Sequence, residues 1–300
     1  MTWYVSKEMK YQSELSVLIL QYNSADLTLQ LLESIVEHES LNIGLYRIIV
    51  MDNASVDPKR EEITRRFPFV EFVQYADNLG FAKAHNRIMD DVHEPWVLLL
   101  NNDCILQNNA IERLLQAAKR KKTSFATCEV FNDDGTPQNN YSYLPSPLRR
   151  VFIGFTGIGR LMKPLRQRMP AARVGYINGA VLLINTTVFL NVGGFDERYF
   201  MYREDFDLML KLWACGYRGY RFRGGKIIHI GGGSAKRRYS QWELEQKYSG
   251  NWWLWYKDYY PPMQIKLFCC FELIVASIKK NSSDLWRYRY EAARNTLIRS

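Results

Sequence analysis

Four short apolar runs, each followed by a polar cluster and a helix-spaced segment, constrain this chain more than any other feature. They are Leu15-Ser-Val-Leu-Ile-Leu-Gln-Tyr22, Tyr46-Arg-Ile-Ile-Val-Met51, Val70-Glu-Phe-Val-Gln-Tyr75 and Trp96-Val-Leu-Leu-Leu100. Runs of this length and composition are buried strands. Helices are expected between and after them, over Leu27–Glu37, Pro58–Phe67, Asn78–Met89 and Asn108–Arg120. In the first, Leu27, Leu31 and Ile35 fall at helical spacing. Strands alternating with helices build a parallel sheet from βαβ units. Ligands of such sheets gather beyond the carboxyl ends of the strands. The clusters Asp52–Asp57, Asn78–Gly80 and Asn101–Asp103 lie at those ends. Any one of them is explained by turn chemistry alone, but three on one edge point to a binding site.

Regularity lapses over Asn132–Arg173, which is rich in Asn, Pro, Gly and Arg. Arg149, Arg150, Arg160, Lys163, Arg166, Arg168 and Arg173 make it the most basic part of the chain. A segment so long is expected to be a functional loop, partly mobile, with short elements. Gly175–Ile184 restores a turn and strand, Phe206–Ala214 a helix, and Lys226–Ile230 a strand closed by Gly231-Gly-Gly-Ser234. After Ser240 the chain turns helical and aromatic, with Trp242, Trp252, Trp253 and Trp255.

The stretch Gly193–Asp207 mixes charge with rings. Phe195, Tyr199, Phe200, Tyr202 and Phe206 are interleaved with Asp196, Glu197, Arg198, Arg203, Glu204, Asp205 and Asp207. A solvated charge run does not carry so much apolar surface, so carboxylates at the edge of an apolar cleft are expected, where burial tunes them toward general-base work. The plainer alternative is a loop entering a helix whose N-terminus favours carboxylates.

Charge narrows the partners. A net charge of +9 and a pI near 9.2 favour an anionic one. Zinc-ligand spacing, an RNA-binding signature and a basic recognition helix are all missing, which argues against nucleic acid. Five cysteines without framework spacing fit a reducing compartment. The polar N-terminus, Met1–Glu14, does not read as a signal peptide. The apolar stretch Ile265–Ile278 contains Lys266 and Glu272 and is too short to span a bilayer. The expected location is cytoplasmic, peripheral on the inner face of the membrane through the aromatic, basic C-terminal region. Helices packed on the main domain with a basic outer face explain that region equally well.

Together these residues resemble the family 2 glycosyltransferases, inverting enzymes of the GT-A fold, and most closely the rhamnosyltransferase-like branch that builds bacterial surface polysaccharides. The resemblance spans about Leu15–Trp255. It rests on Val17-Leu-Ile-Leu-Gln-Tyr-Asn23, Asp52-Asn-Ala-Ser-Val-Asp57, Asn78-Leu-Gly-Phe-Ala-Lys-Ala-His-Asn86, Leu100-Asn-Asn-Asp103, Asn178-Gly-Ala180, Gly193-Gly-Phe-Asp196, Glu204-Asp-Phe-Asp207 and His229 with Gly231–Ser234, in that order. It implies a GT-A catalytic domain over 1–240, with a nucleotide-sugar half about 15–130, an acceptor half about 174–240 and the basic loop 132–173. A helical extension follows over 241–300.

The resemblance also implies roles. A divalent metal, Mg2+ or Mn2+, would sit on an Asp-x-Asp motif after the fourth strand, which is Asn101-Asn102-Asp103 here, with Asp103 the main ligand, Asn101 a neutral one and His229 a third. Asp52 would bond the base, Tyr22 and Asn23 line base and ribose, and Asn78, Gly80 and His85 touch nucleotide and diphosphate. Asn101 and Asn102 count among the donor contacts. Asn178, Gly179 and Ala180 would floor the sugar pocket. Asp205 would be the base and Glu204 would orient the acceptor, with Arg203 helping to hold it. The implied partners are a nucleotide-sugar donor, with dTDP-β-L-rhamnose favoured over UDP-hexoses or UDP-galactofuranose, and a lipid-linked glycan acceptor. The replacement of the first motif carboxylate by Asn101 also admits a non-catalytic nucleotide-sugar-binding protein or scaffold. A nucleotidyltransferase ranks lower, for want of a Gly-rich phosphate loop with lysine.

Overall fold

A computed structural model of the chain describes residues 13–39, 43–142, 169–231 and 258–279, with isolated positions between 287 and 297. Its first half follows the pattern of apolar runs. Strand β1 (Leu15–Gln21), helix α1 (Ala25–His38), β2 (Tyr46–Asp52), α2 (Arg60–Arg66), β3 (Val70–Gln74), α3 (Gly80–Ile88) and β4 (Trp96–Leu100) succeed one another. The strands lie in the order β3-β2-β1-β4, all parallel. Alternate residues of β1 enter opposite layers. Val17 and Ile19 pack with Leu31 and Ile35 of α1, and Leu18 packs with Ala84 and Ile88 of α3. A strand covered on both faces needs apolar residues at every position, which is why these runs show no alternation.

The second half adds β5 (Cys104–Gln107), α4 (Ala110–Lys121), β6 (Phe125–Phe131), β7 (Tyr141–Ser142), β8 (Ala171–Val174), β9 (Tyr176–Ile177), β10 (Val181–Asn185), α5 (Thr186–Asn191), α6 (Glu204–Ala214), β11 (Gly219–His229) and α7 (Pro262–Lys279). The sheet continues β4-β10-β6-β11-β5, with β8 also on β11, and β7 and β9 form a separate pair. Strand β10 is antiparallel to both β4 and β6. Strand β11 runs parallel to β6 and antiparallel to β5, in a register that sets His229 opposite Cys104.

The short elements expected within 132–173 are present among its described residues, as a turn after β6, as β7 and as β8. Two expectations change. The chain between Asp103 and the fourth helix holds strand β5, which the sequence reading did not include, only four residues long with alternating burial, too brief to register as a run. The helix of the acceptor stretch starts at Glu204 rather than Phe206, bringing Glu204, Asp205 and Asp207 into its first turn, where carboxylates oppose the helix dipole favourably. Arg149, Arg150, Arg160, Lys163, Arg166, Arg168, residues 1–12, Gly232–Ser234 and the tryptophans from Trp242 to Trp255 lie outside the described residues.

Helix α7 buries Ile265, Phe268 and Cys269 against Leu210 of α6 and Tyr199. Asp207, fully buried on α6, accepts from the Tyr259 hydroxyl and pairs with Lys211 at 2.9 Å. The C-terminal region is thereby fastened to the helix that carries Glu204 and Asp205.

Candidate active site

A cavity of about 500 Å³ opens at the carboxyl ends of the parallel strands. Tyr22 follows β1, Asn78 and Gly80 begin α3, and Asn101–Asp103 follow β4. From the second half come Asn178–Ala180, the loop Phe200–Arg203, Glu204, Asp205 and Phe206 of α6, and His229. Residues more than 200 positions apart thus share one wall.

On one side, His229 Nε2 lies 3.1 Å from Asp103 Oδ1. The register of β11 on β5 makes this contact, since Cys104 is opposite His229. An imidazole nitrogen and a carboxylate oxygen, both buried, are a donor set that suits Mg2+ or Mn2+. Cys104 Sγ is also within reach, but its thiol donates to the Ala180 carbonyl at 3.9 Å. Asn101 turns its amide nitrogen toward His229 Nε2 at 3.4 Å, so ligation by its oxygen requires the amide to turn over. Asn102 lines the cavity, yet its side-chain nitrogen bonds Ser24 O, Ser24 Oγ and Thr28 Oγ1 at 2.8–3.1 Å. Its side chain ties the end of β4 to α1.

On the other side stand two adjacent carboxylates. Asp205 Oδ2 accepts from the Tyr176 hydroxyl at 2.6 Å and Oδ1 from its neighbour Phe206 N at 2.8 Å. Tyr176 is held flat on the Phe206 ring, with centroids 4.0 Å apart. Burial raises the Asp205 carboxyl above its ordinary range, while the Tyr176 bond and the Arg203 charge pull it back. Glu204 is pushed well up too, by burial and then by the Asp205 charge, and its Oε2 has no hydrogen-bond partner among the described residues. Two carboxylates so close do not both ionise readily. The pair therefore keeps a proton more readily than two exposed carboxylates would. Tyr202 and Arg203 reach this position through consecutive left-handed residues, φ 68° and 79°, a backbone costing about 1–3 kcal/mol each that functional loops tolerate.

The loop also leans on the donor side. The Phe200 carbonyl accepts from Phe81 N at 2.8 Å, and a Cβ on Gly80 would lie 2.3 Å from that oxygen. Gly179 is likewise pressed against the Phe81 ring, and Asn178 Oδ1 accepts from Ala180 N. Asn86 pairs with the Phe195 backbone in both directions at 2.9 Å, joining α3 to the Gly193–Asp196 turn. Tyr199 does not line the cavity, being buried in the contact with α7.

Three expected donor contacts do not line the cavity. Asp52 is fully buried, with Oδ1 accepting from Gln21 Nε2 at 2.8 Å and Oδ2 from Ser55 N at 2.9 Å. Asn23 Oδ1 accepts from Val56 N. Both brace the loop after β2, and Gln21 is the side chain between Asp52 and the cavity lining. His85 is on the inner face of α3, its Nδ1 2.8 Å from Phe81 O and its ring against Phe81 and Phe195. Burial lowers its pKa to about 4. It is neutral at physiological pH and does not supply the titratable cation expected there. Gln21 and Tyr176 were not singled out by sequence reasoning, because a lone Gln on a strand and a lone Tyr before a turn carry no local signal.

The family model described as Glycosyl transferase family 2 matches residues 16–177, over half of the chain. The chain belongs to glycosyl transferase family 2. This family 2 chain is 31% identical over 201 residues to the N-acetylglucosaminyl-diphospho-decaprenol L-rhamnosyltransferase of Mycobacterium tuberculosis strain H37Rv, covering 61% of the chain and 66% of that relative. It thus spans just under two thirds of that protein. It is 26% identical over 222 residues to rhamnosyltransferase WbbL of Escherichia coli K12, covering 71% and 82%. Among solved structures, the fold is similar to the mannosyltransferase PcManGT of Pyrobaculum calidifontis in complex with GDP-Man and Mn2+, with a TM-score of 0.61, 13% identity and coverage of 99% and 90%. It is also similar to GalNAc-T7 with UDP, GalNAc and Mn2+, at a TM-score of 0.55, 16% identity and coverage of 72% and 43%. The family 2 chain accordingly has the GT-A type of α/β architecture expected above.

Proposed function

We propose that this chain is an inverting glycosyltransferase that moves L-rhamnose from dTDP-β-L-rhamnose onto a lipid-linked glycan. The observation that carries the reading is the pairing, in one cavity, of the buried carboxyls Asp205 and Glu204 with Asp103 and His229. Inversion by single displacement requires a base for the acceptor hydroxyl as its oxygen attacks the anomeric carbon. Asp205 takes that proton. Glu204, holding its own proton, donates a hydrogen bond that orients the acceptor. Asp103 and His229 would hold a divalent ion, which as a Lewis acid would neutralise charge on the departing diphosphate. Gln21 and Tyr22 line the base end, with Asp52 behind Gln21.

The names of the mycobacterial and Escherichia coli relatives support rhamnose and, for the first, a diphospho-lipid acceptor. The net charge of +9 suits such a diphosphate. Helix α7 exposes Met263, Leu267, Ile274 and Ile278 along one face, a stripe suited to a peripheral contact at the inner face of the membrane. No helix among the described residues is long and apolar enough to cross one.

The test is transfer to a polyprenyl-diphosphate-linked N-acetylglucosamine from dTDP-β-L-rhamnose, UDP-glucose and UDP-galactofuranose, with Mg2+, with Mn2+ and with chelator. Transfer from the dTDP donor, lost on chelation, is the expected result. Transfer from a UDP-sugar alone overturns the donor. Nucleotide-sugar binding without turnover under any metal overturns catalysis and favours a binding protein, the reading that Asn101 in the metal motif invites.

A further inference from the structure

The turn that closes β6 carries a chain of hydrogen bonds with a single direction, ending on His229. Asn132 N bonds Thr136 O, Gln138 N bonds Val130 O, and Phe131 bridges Pro137. Strand β11 runs parallel to β6 with Ile228 opposite Phe131, so this turn stands beside His229. Gln138 Oε1 is 2.7 Å from His229 Nδ1, and Gln138 Nε2 donates to the His229 carbonyl at 3.0 Å and to Asn132 Oδ1 at 2.9 Å. Asn132 Nδ2 donates to Thr136 Oγ1 at 2.9 Å, and that hydroxyl donates to Asp134 Oδ1 at 2.5 Å.

Each link determines the next. An ionised carboxylate only accepts, and the Thr136 hydroxyl and backbone hold Asp134 below its ordinary pKa, so Asp134 is the fixed end. Thr136 spends its only proton there and therefore accepts from the Asn132 amide nitrogen. Asn132 then presents its oxygen to Gln138, whose nitrogen faces two carbonyl-type acceptors. A flipped Gln138 would set its oxygen against both of them. Gln138 Oε1 consequently faces Nδ1, and an amide oxygen has no proton to give. Nδ1 must carry the hydrogen. The neutral imidazole is then left with its lone pair on Nε2, the atom 3.1 Å from Asp103 Oδ1.

We infer that Gln138 is a positioning residue that selects the His229 tautomer able to ligate a metal through Nε2. The inference rests on the reading of Asp103 and His229 as metal ligands, and adds to it the group that makes His229 competent. A ligating histidine whose second nitrogen is held by an acceptor binds metal more tightly, and loss of that acceptor typically costs about 10–100-fold in affinity. The chain from Asp134 to Gln138 lies within the segment 132–173, which gives its ordered start a task.

The experiment uses the full chain labelled with 15N-histidine, whose four histidines keep the imidazole spectrum simple. In the metal-free protein, above the pH at which the ring loses its second proton, long-range 1H–15N correlations should show His229 as one tautomer, protonated at Nδ1. In Gln138→Leu the tautomers should mix, and the Mn2+ dissociation constant, followed by the EPR signal of free Mn2+, should rise about 10–100-fold. Gln138→Glu keeps an acceptor on Nδ1 and loses the amide donor. It should hold the Nδ1–H tautomer and bind Mn2+ more tightly than Gln138→Leu, and it carries the test if the leucine variant fails to fold. Wild-type tautomer and affinity in Gln138→Leu overturn the role while leaving the metal reading intact. Equal loss of tautomer and affinity in both variants also overturns it, since Gln138 would then act only through its donor bonds to the turn. Wild-type protein that binds no Mn2+ removes the metal reading, and this inference with it.

Discussion

Tyr176 and Asp205 are 29 positions apart, and the tyrosine hydroxyl donates to Oδ2 at 2.6 Å while its ring lies flat on Phe206. A hydrogen bond to the charged form of a carboxyl opposes the rise that burial imposes. This contact favours the charged form of Asp205 against the burial that opposes it.

Replacing Tyr176 by Phe tests that balance. The ring still stacks on Phe206, but the bond to the carboxylate is gone. Arg203 and the Phe206 amide still favour the anion, while burial opposes it. The carboxyl becomes harder to ionise, so the acid limb of the kcat/KM profile moves to higher pH. A charged hydrogen bond contributes about 1.5–3 kcal/mol, so turnover on that limb should fall about tenfold or more. Unchanged pH profiles for wild type and variant would refute it.

Asp205→Asn removes the proton acceptor while keeping its shape. General-base catalysis contributes about 10²–10⁴-fold, and kcat should fall by that range with nucleotide-sugar affinity, measured by calorimetry, changed little. Near wild-type kcat would show that the base is elsewhere.

Gly80→Ala probes the contact between the donor and acceptor sides. The residue has φ +77°, and an added Cβ would meet Phe200 O at 2.3 Å. A left-handed alanine alone costs about 1–3 kcal/mol, and the Phe200–Arg203 loop must also move. The thermal midpoint should drop by several degrees, with a KM increase for donor. A variant that melts and binds like wild type would mean that the loop does not close on α3 in solution.

Glu39 links stability to pH away from the cavity. It is fully buried, accepting from Ile111 N at 2.8 Å and Glu112 N at 3.3 Å at the start of α4. Burial raises its pKa from 4.5 to about 7 despite those bonds. A folded pKa above the unfolded one means that the folded state holds the proton more tightly. The contribution is complete below about pH 4.5 and is lost as pH rises through about 7. Glu39→Gln keeps an acceptor and cannot titrate. Relative to it, the wild-type melting temperature should fall between pH 5 and pH 8. Parallel curves would exclude Glu39 as the cause.

How much of this was legible varies with the range of the interaction. The strands β1 to β4 and the polar ends after them stand out, because a two-sided strand must be apolar at each position and a ligand edge must be polar. Strand β5 was missed, since four residues with one face half-buried look like the end of a turn. His85 misled in the opposite way. It lies in a motif-like run, but helical spacing turns it to the inner face of α3, where Phe81 and Phe195 cover it. Asp52 and Asn23 stand at the expected edge, yet their polar atoms are consumed by Gln21, Ser55 and Val56.

The chain by itself determines the parallel half of the sheet, the edge on which a ligand can sit, and the carboxylates Asp103, Glu204 and Asp205 as candidates for its chemistry. The sheet and its edge follow from periodicity and residue type, which are local, and the singling out of those carboxylates follows from the family resemblance. That the Tyr176 hydroxyl meets Asp205, that Gln138 meets His229 Nδ1 and that His229 Nε2 meets Asp103 were decided by the tertiary structure alone. Each depends on burial and on hydrogen-bond partners delivered by strand register, β11 on β5 and on β6 above all. Register is set by packing across the whole sheet, so no window of sequence contains it.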